Sequence, residues 1–260
     1  MEVLSDILTL ASGKGGVGKS IVAANLAEAL AHEGRRVALI DADFGQSALP
    51  VLLNETPSVT VLDTVQTGAD PTEALHETDT GVTLVQAADH PMAHLESAPT
   101  GAWHDDLYAA LDGLIERLSA PCDHILVDTS AGTDGPVRWA LDRADVGVLV
   151  LVGEPTAVAD AYRLAKLLWT ADPDYPLATV VNYAEDEDDA EGIAERFGAI
   201  TTRFMGTAPR FLGWVPYAHS IRQSVSTQTP VVRSAGPARD AFAALAQSVV
   251  QGHHTLSLAV

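Results

Sequence analysis

The chain has 260 residues, 47% of them hydrophobic and 19% charged, and its 35 Asp and Glu outnumber 15 Lys and Arg to give a formal net charge of −20. It is long and apolar enough for a sizeable globular core, which excludes a disordered polymer, and the lone Cys122 excludes an internal disulfide or a multi-cysteine cluster within one chain. A surface this acidic repels nucleic acid and anionic membrane, because phosphate contacts supply most nonspecific DNA binding, so direct DNA binding is not expected.

No apolar run reaches the ~18–20 residues of a membrane span. The opening MEVLSD lacks the basic start of a secretory signal, so a cytoplasmic protein is expected. The acidic balance suits either an ordinary acidic protein or a high-salt cytoplasm that screens self-repulsion. In chain order, Ile7–Ala11 reads as a strand running into a glycine-rich loop, and Val22–Ala31 as a helix stopped by Gly34. Val37–Ile40 is a strand leading to Asp41-Ala42-Asp43. Residues 54–80 are polar and turn-rich, an excursion at a sheet edge. Val82–Val85 is a short strand, and Leu107, Leu111, Leu114 and Leu118 share one face of a helix over 106–118. Ile125–Val127 is a strand ending at Asp128, and Val146–Val152 another. Pro155–Trp169 reads as helix, and Leu177–Val181 as a strand ending at Asn182. The acidic run 185–191 reads as a solvated loop and first helical turn rather than a cation site. Leu212–Val215 is a last strand and Pro237–Val250 a closing helix. Continuous apolar strands alternating with helices predict an α/β fold: one doubly wound, mostly parallel sheet flanked by helices on both faces. No linker or repeat divides the chain, so a single domain over 7–250 with a short tail at 251–260 is expected.

Residues 13–20, GKGGVGKS, satisfy the phosphate-loop pattern G-x-x-x-x-G-K-[ST] between a predicted strand and helix. Gly13, Gly15, Gly16 and Gly18, with Lys14 and Val17 between them, let successive backbone N–H groups point at phosphate oxygens. The helix N-terminus adds its positive dipole end. Lys19 is placed to bridge the β- and γ-phosphates, and the Ser20 hydroxyl to ligate Mg²⁺. The chain has just three lysines, Lys14, Lys19 and Lys166, and two of them stand in this loop.

With Lys14 in place the loop KGGVGKS resembles that of the deviant Walker A ATPases of the MinD/ParA family. The resemblance implies ATP and ADP as ligands with Mg²⁺, and an ATP-bound homodimer in which Lys14 reaches the phosphates held by the partner subunit. LIDADFG (39–45) resembles the family's first switch, with Asp43 orienting the attacking water and Asp41 holding the water shell of the magnesium. ILVDTSAG (125–132) resembles Walker B and the second switch, with Asp128 at the Mg²⁺ shell and Gly132 beside the γ-phosphate. GEPTAVADAYRLAKLL (153–168) resembles the helix whose aspartate, here Asp160, steadies the signature lysine. Asn182 matches the adenine-reading asparagine. GWVPYAHSIRQS (213–224) resembles the loop over the base, with Pro216 and Tyr217 nearest it.

Within the family, the stretches 127–168 and 203–232 resemble most the FlhG (FleN) group of flagellar-number regulators. That implies protein partners such as the flagellar GTPase FlhF, C-ring components or a transcriptional regulator. FlhG proteins that stimulate FlhF carry an N-terminal activator segment, whereas here only Met1–Asp6 precede the first strand, which leaves FlhF stimulation an open question. Phe242, Leu245, Ala246, Val249 and Val250 form an apolar stripe with one nearby cation, Arg239. Packing against the sheet is therefore expected, and membrane binding weak or absent. A MinD-like division-site or ParA-like cargo-positioning ATPase is the alternative. Iron–sulfur relatives need cluster cysteines that Cys122 does not supply.

Overall fold

The computed structural model describes residues 6–44, 46–89 and 102–256, with side chains of 102–104 and 253–256 not described. Gly45 of the first switch, the last four residues of the expected tail and the side chains of His253 and His254 thus lie outside the described residues. Eight strands form one sheet among the described residues: β1 (Asp6–Ala11), β2 (Val37–Ala42), β3 (Leu75–Glu77), β4 (Val82–Gln86), β5 (His124–Thr129), β6 (Val146–Leu151), β7 (Leu177–Ala184) and β8 (Arg210–Pro216). Their order is β3-β4-β2-β5-β1-β6-β7-β8, with every pairing parallel except the β3–β4 edge.

The alternation of side chains along each strand sends neighbours to opposite faces. Leu8, Leu10 and Leu39 pack with α1 (Lys19–His32) and α9 (Pro237–Leu256). Ile40, Ile125 and Val127 pack on the other side, under α3 (Val61–Thr67) and α4 (Ala102–Ser119). Ala11, Leu149 and Val181 continue that side beneath α5 (Gly135–Asp142), α6 (Pro155–Ala171) and α7 (Glu187–Met205). Two short helices, α2 (Leu49–Leu53) and α8 (His219–Thr227), lie beside the loops at the C-terminal ends of β2 and β8.

Every predicted strand and helix is present, with shifted ends. The first helix begins at Lys19 rather than Val22, because the lysine and serine of the phosphate loop are its first turn. The acidic run does open a helix: Asp186 caps α7 by accepting from the Asp189 N–H at 2.9 Å. The excursion at 54–80 does end in an edge strand, β3, but also holds α3, whose Thr60/Asp63 capping box closes it. Phe242, Leu245, Ala246 and Val249 are all buried, so the stripe on α9 is core. No helix among the described residues is long and apolar enough to cross a membrane.

Candidate nucleotide site

The loop from Ser12 to Lys19 leaves the C-terminal end of β1 in the middle of the sheet and enters α1 directly. The strand order diverges here, which is where open α/β sheets bind ligands. Gly16 and Gly18 have φ of +79° and +87°, the left-handed region that favours glycine. Two further contacts forbid side chains. A Cβ on Gly13 would overlap the backbone carbonyl of Asp160, and one on Gly18 would overlap the Asn182 amide. The loop is also tied from outside: Gly132 N–H donates to the Ser12 carbonyl at 2.9 Å, and the Asn182 amide donates to the Val17 carbonyl at 2.7 Å.

Beside the loop stand the three aspartates. Asp41 and Asp128 are direct neighbours across the β2–β5 ladder, and Leu10 of β1 is the partner of Asp128 on its other side. Both carboxylates are 1% exposed. Asp41 accepts from the Ser47 hydroxyl at 2.7 Å, the Leu49 N–H at 3.2 Å and the Asp43 N–H at 3.1 Å. Burial still lifts it to about 6, against the pull of those three hydrogen bonds. Asp128 is lifted further, to about 8, by burial and then by the neighbouring Asp41 charge, while the Ser20 hydroxyl and Lys19 pull it down. Neither Asp128 oxygen has a well-formed hydrogen bond. A buried carboxylate left so is costly. Lys19, 8% exposed, is held below the usual lysine value by burial, opposed by Asp128 and Asp43.

This donor set suits a hard cation that arrives with phosphate. Among the described residues no three His, Cys, Asp or Glu gather into a self-sufficient metal cage. Two orphaned oxygens of Asp128 with the Ser20 hydroxyl at their side instead match an ion completed by phosphate and water.

Lys14 stands apart from Lys19. Its ammonium pairs with Glu154 at 2.6 Å and reaches the Thr156 hydroxyl at 3.4 Å. The expected partner, Asp160, instead pairs with Arg163 on its own helix and touches the loop through its backbone at Gly13. Glu154 stands at the N-cap position of α6, whereas Asp160 lies more than a turn along the helix, its backbone against Gly13 and its carboxylate on Arg163. The Lys14–Glu154 pair is 41% and 64% exposed, so it is weakly held and free to exchange partners.

Asn182 sits where its amide supports the loop, not open to a ligand: it is 1% exposed, with its donor on Val17 and its carbonyl oxygen taking the Tyr183 N–H at 3.0 Å. An open cleft lies one residue on. Tyr183, at φ +61° on a bulge of β7, meets Tyr217 edge-on with ring centroids 6.1 Å apart. Together with Ile21, Ile221 and Arg222 they line a cleft of about 210 Å³, over which Tyr217 is 63% exposed. Pro216 ends β8 behind it, paired with Ala184. A larger cleft of about 550 Å³, lined by Leu8, Tyr175, Leu177 and Arg210, holds none of these residues.

Ser47, Glu154, Tyr183 and Arg222 are given no role by the sequence. For three of them a signal existed: Glu154 and Arg222 lie inside the stretches 153–168 and 213–224, and Tyr183 directly follows Asn182. Ser47 meets Asp41 only through loop geometry.

A family model described as "ParA: NUBPL iron-transfer P-loop NTPase" matches residues 3–250. The antiactivator FleN of Pseudomonas aeruginosa is 34% identical over 245 residues, 94% of this chain and 85% of FleN. The septum site-determining protein MinD of Synechocystis is 35% identical over 65% of this chain and 61% of that protein. The solved structure of the cell division ATPase MinD from Pyrococcus furiosus superposes with a TM-score of 0.75 at 25% identity, covering 95% of this chain and 99% of that one. The chain therefore belongs to the ParA family of P-loop NTPases. Iron transfer through a cysteine cluster has no footing here, since Cys122 is the only cysteine and is buried ahead of β5.

Proposed function

We propose that the chain is an ATP-dependent dimerising switch that hydrolyses ATP slowly until a protein partner speeds it. The observation that carries this reading is one end of a sheet where Lys14, Lys19, Ser20, Asp41, Asp43 and Asp128 converge on a glycine loop, in a protein with three lysines in all.

In this reading the N–H groups of Gly15 to Lys19 cradle the phosphates, and Lys19 bridges β and γ. Ser20, Asp128 and Asp41 would hold Mg²⁺, which would supply charge neutralisation on the phosphate oxygens. Asp43, at the exit of β2, orients the attacking water. Lys14 leaves Glu154 and crosses to the partner's phosphates, acting as a cation supplied in trans. The base enters the Tyr183–Tyr217 cleft with Pro216 behind it, while Asn182 keeps the loop in register beneath. Loss of the γ-phosphate then releases the segments 41–47 and 129–134, and the dimer opens.

The likeness to the antiactivator FleN over 94% of the chain, and to the flagellum site-determining protein YlxH of Helicobacter pylori, supports control of flagellar number or placement through protein partners. A division-site switch is the second reading, favoured by the likeness to MinD. Deleting the gene separates them: flagellar counts change in the first case, septum position in the second.

Light scattering on Asp43→Ala with ADP and then ATP tests the switch. A monomer becoming a dimer with ATP supports it. A monomer that binds ATP and never associates removes the role given to Lys14.

A further inference from the structure

One side chain of helix α4, Tyr108, lies between the segment that follows Asp43 and the helix that follows Gly132. Phe44 directly follows Asp43 and is 4% exposed. Trp139 is on α5, whose first residue is three positions after Gly132. The half-buried ring of Tyr108 meets both. Its centroid is 5.8 Å from that of Phe44 at 42°, and 5.4 Å from that of Trp139 in a stacked arrangement at 26°.

The column is clamped at its α5 end. Trp139 donates its indole N–H to Asp112 at 2.9 Å, and Arg143 pairs with both oxygens of the same carboxylate. Arg143 also lies over the Trp139 ring at 5.2 Å. Asp112 is four residues beyond Tyr108, on the same face of α4. The helix therefore holds α5 through a charged clamp and an aromatic stack, and meets the segment after Asp43 through the Tyr108–Phe44 ring contact within the shared core. Aromatic contacts are directional, and close-packed rings change arrangement in discrete steps rather than deforming smoothly. A shift of Phe44 therefore obliges Tyr108, and with it Trp139, to repack.

We infer that Tyr108 is a positioning residue that couples the segment after Asp43 to the segment after Gly132, so that the two respond to nucleotide as a unit. The inference rests on the proposed ATP switch.

Trp139 is a built-in reporter. Its fluorescence is obtained as the difference between the full chain and its Trp139→Phe variant, both carrying Asp43→Ala so that ATP stays bound. Addition of ATP and Mg²⁺ is expected to change that signal. Tyr108→Leu should abolish most of the change while leaving the affinity for a fluorescent ATP analogue within about twofold, since no binding group is touched. In the chain with Asp43 intact, Tyr108→Leu should lower kcat about tenfold with KM nearly unchanged, and Tyr108→Phe should restore both signal and rate, because the lost element is two ring contacts. If Tyr108→Leu does not fold, Phe44→Leu interrogates the column from its other end with the same readouts. A full Trp139 response and normal kcat in the variant that lacks the ring overturn the coupling while leaving the switch intact. No binding of the analogue to the parent chain overturns the switch, and the coupling with it.

Discussion

Removing the Arg233 guanidinium should harm this protein more than removing both halves of the pair it belongs to. Glu28 lies on α1, two turns past the phosphate loop, with its side chain 0% exposed. Arg233, at the end of a 3-10 turn over Val231–Arg233, donates to it from Nε at 2.9 and 3.1 Å and from Nη2 at 2.5 Å. The Thr80 hydroxyl also donates to it, at 3.5 Å. In Arg233→Met the carboxylate keeps its burial and loses three charge-assisted hydrogen bonds. A stranded buried charge of this kind costs about 3–5 kcal/mol. At roughly 2–4 °C per kcal/mol in this size range, the melting temperature should fall by on the order of 10 °C. Glu28→Leu combined with Arg233→Met leaves no charge to solvate and should recover most of the loss, because an apolar pair of similar volume is often as stable as a buried ion pair. Urea denaturation and thermal melts followed by circular dichroism, on the nucleotide-free chain, measure both. A loss below about 1 kcal/mol in Arg233→Met, or a double variant no better than the single, would refute the burial argument.

Four further outcomes follow from the site. Asp128 and Asp41 hold protons to about pH 8 and about 6 in the folded chain, against 3.8 for an ordinary aspartate. Folded values above the unfolded one mean the native state keeps protons that the unfolded chain has released. The nucleotide-free protein should thus lose stability as pH rises from about 4 to 8, and Asp128→Asn should flatten that slope; parallel melting profiles for the two proteins count against the assignment. Gly18→Ala puts a methyl group against the Asn182 amide at a φ of +87°. It should abolish nucleotide binding, read by equilibrium dialysis, whereas Gly34→Ala, also at positive φ but with open space around it, should not. Lys14→Ala should bind ATP normally yet lose hydrolysis and dimer formation in phosphate-release and light-scattering assays. Glu154→Gln removes the cis partner of an exposed pair, so stability should change by less than about 1 kcal/mol while ATP-driven dimerisation becomes easier.

Much of this could be read from short windows of the chain. The glycine loop was legible because its chemistry is local: glycines for left-handed backbone, a lysine and a serine at fixed spacing, a strand before and a helix after. The parallel sheet was legible because strands covered on both faces read as unbroken apolar runs, as in Val146–Leu151. Asp41 and Asp128 could be marked as strand-end carboxylates for the same reason. The segments missed are short ones: the three-residue edge strand β3, and the helices α2, α3, α5 and α8, of five to nine residues each.

What no window could supply is the set of contacts made between distant segments. Lys14 pairs with Glu154, 140 positions away along the chain, while Asp160 pairs with Arg163 on its own helix. Asn182 reaches 165 positions back along the chain to the carbonyl of Val17, which no residue type or spacing announces. The raised values of Asp41 and Asp128 come first from burial under the packed helices, and for Asp128 then from the Asp41 charge that the β2–β5 register sets beside it. Tyr108 likewise joins Phe44 to Trp139 only once three separate elements pack on one face. Residue identity and local geometry therefore set the phosphate chemistry, whereas the packing of remote elements set the charges, partners and couplings around it.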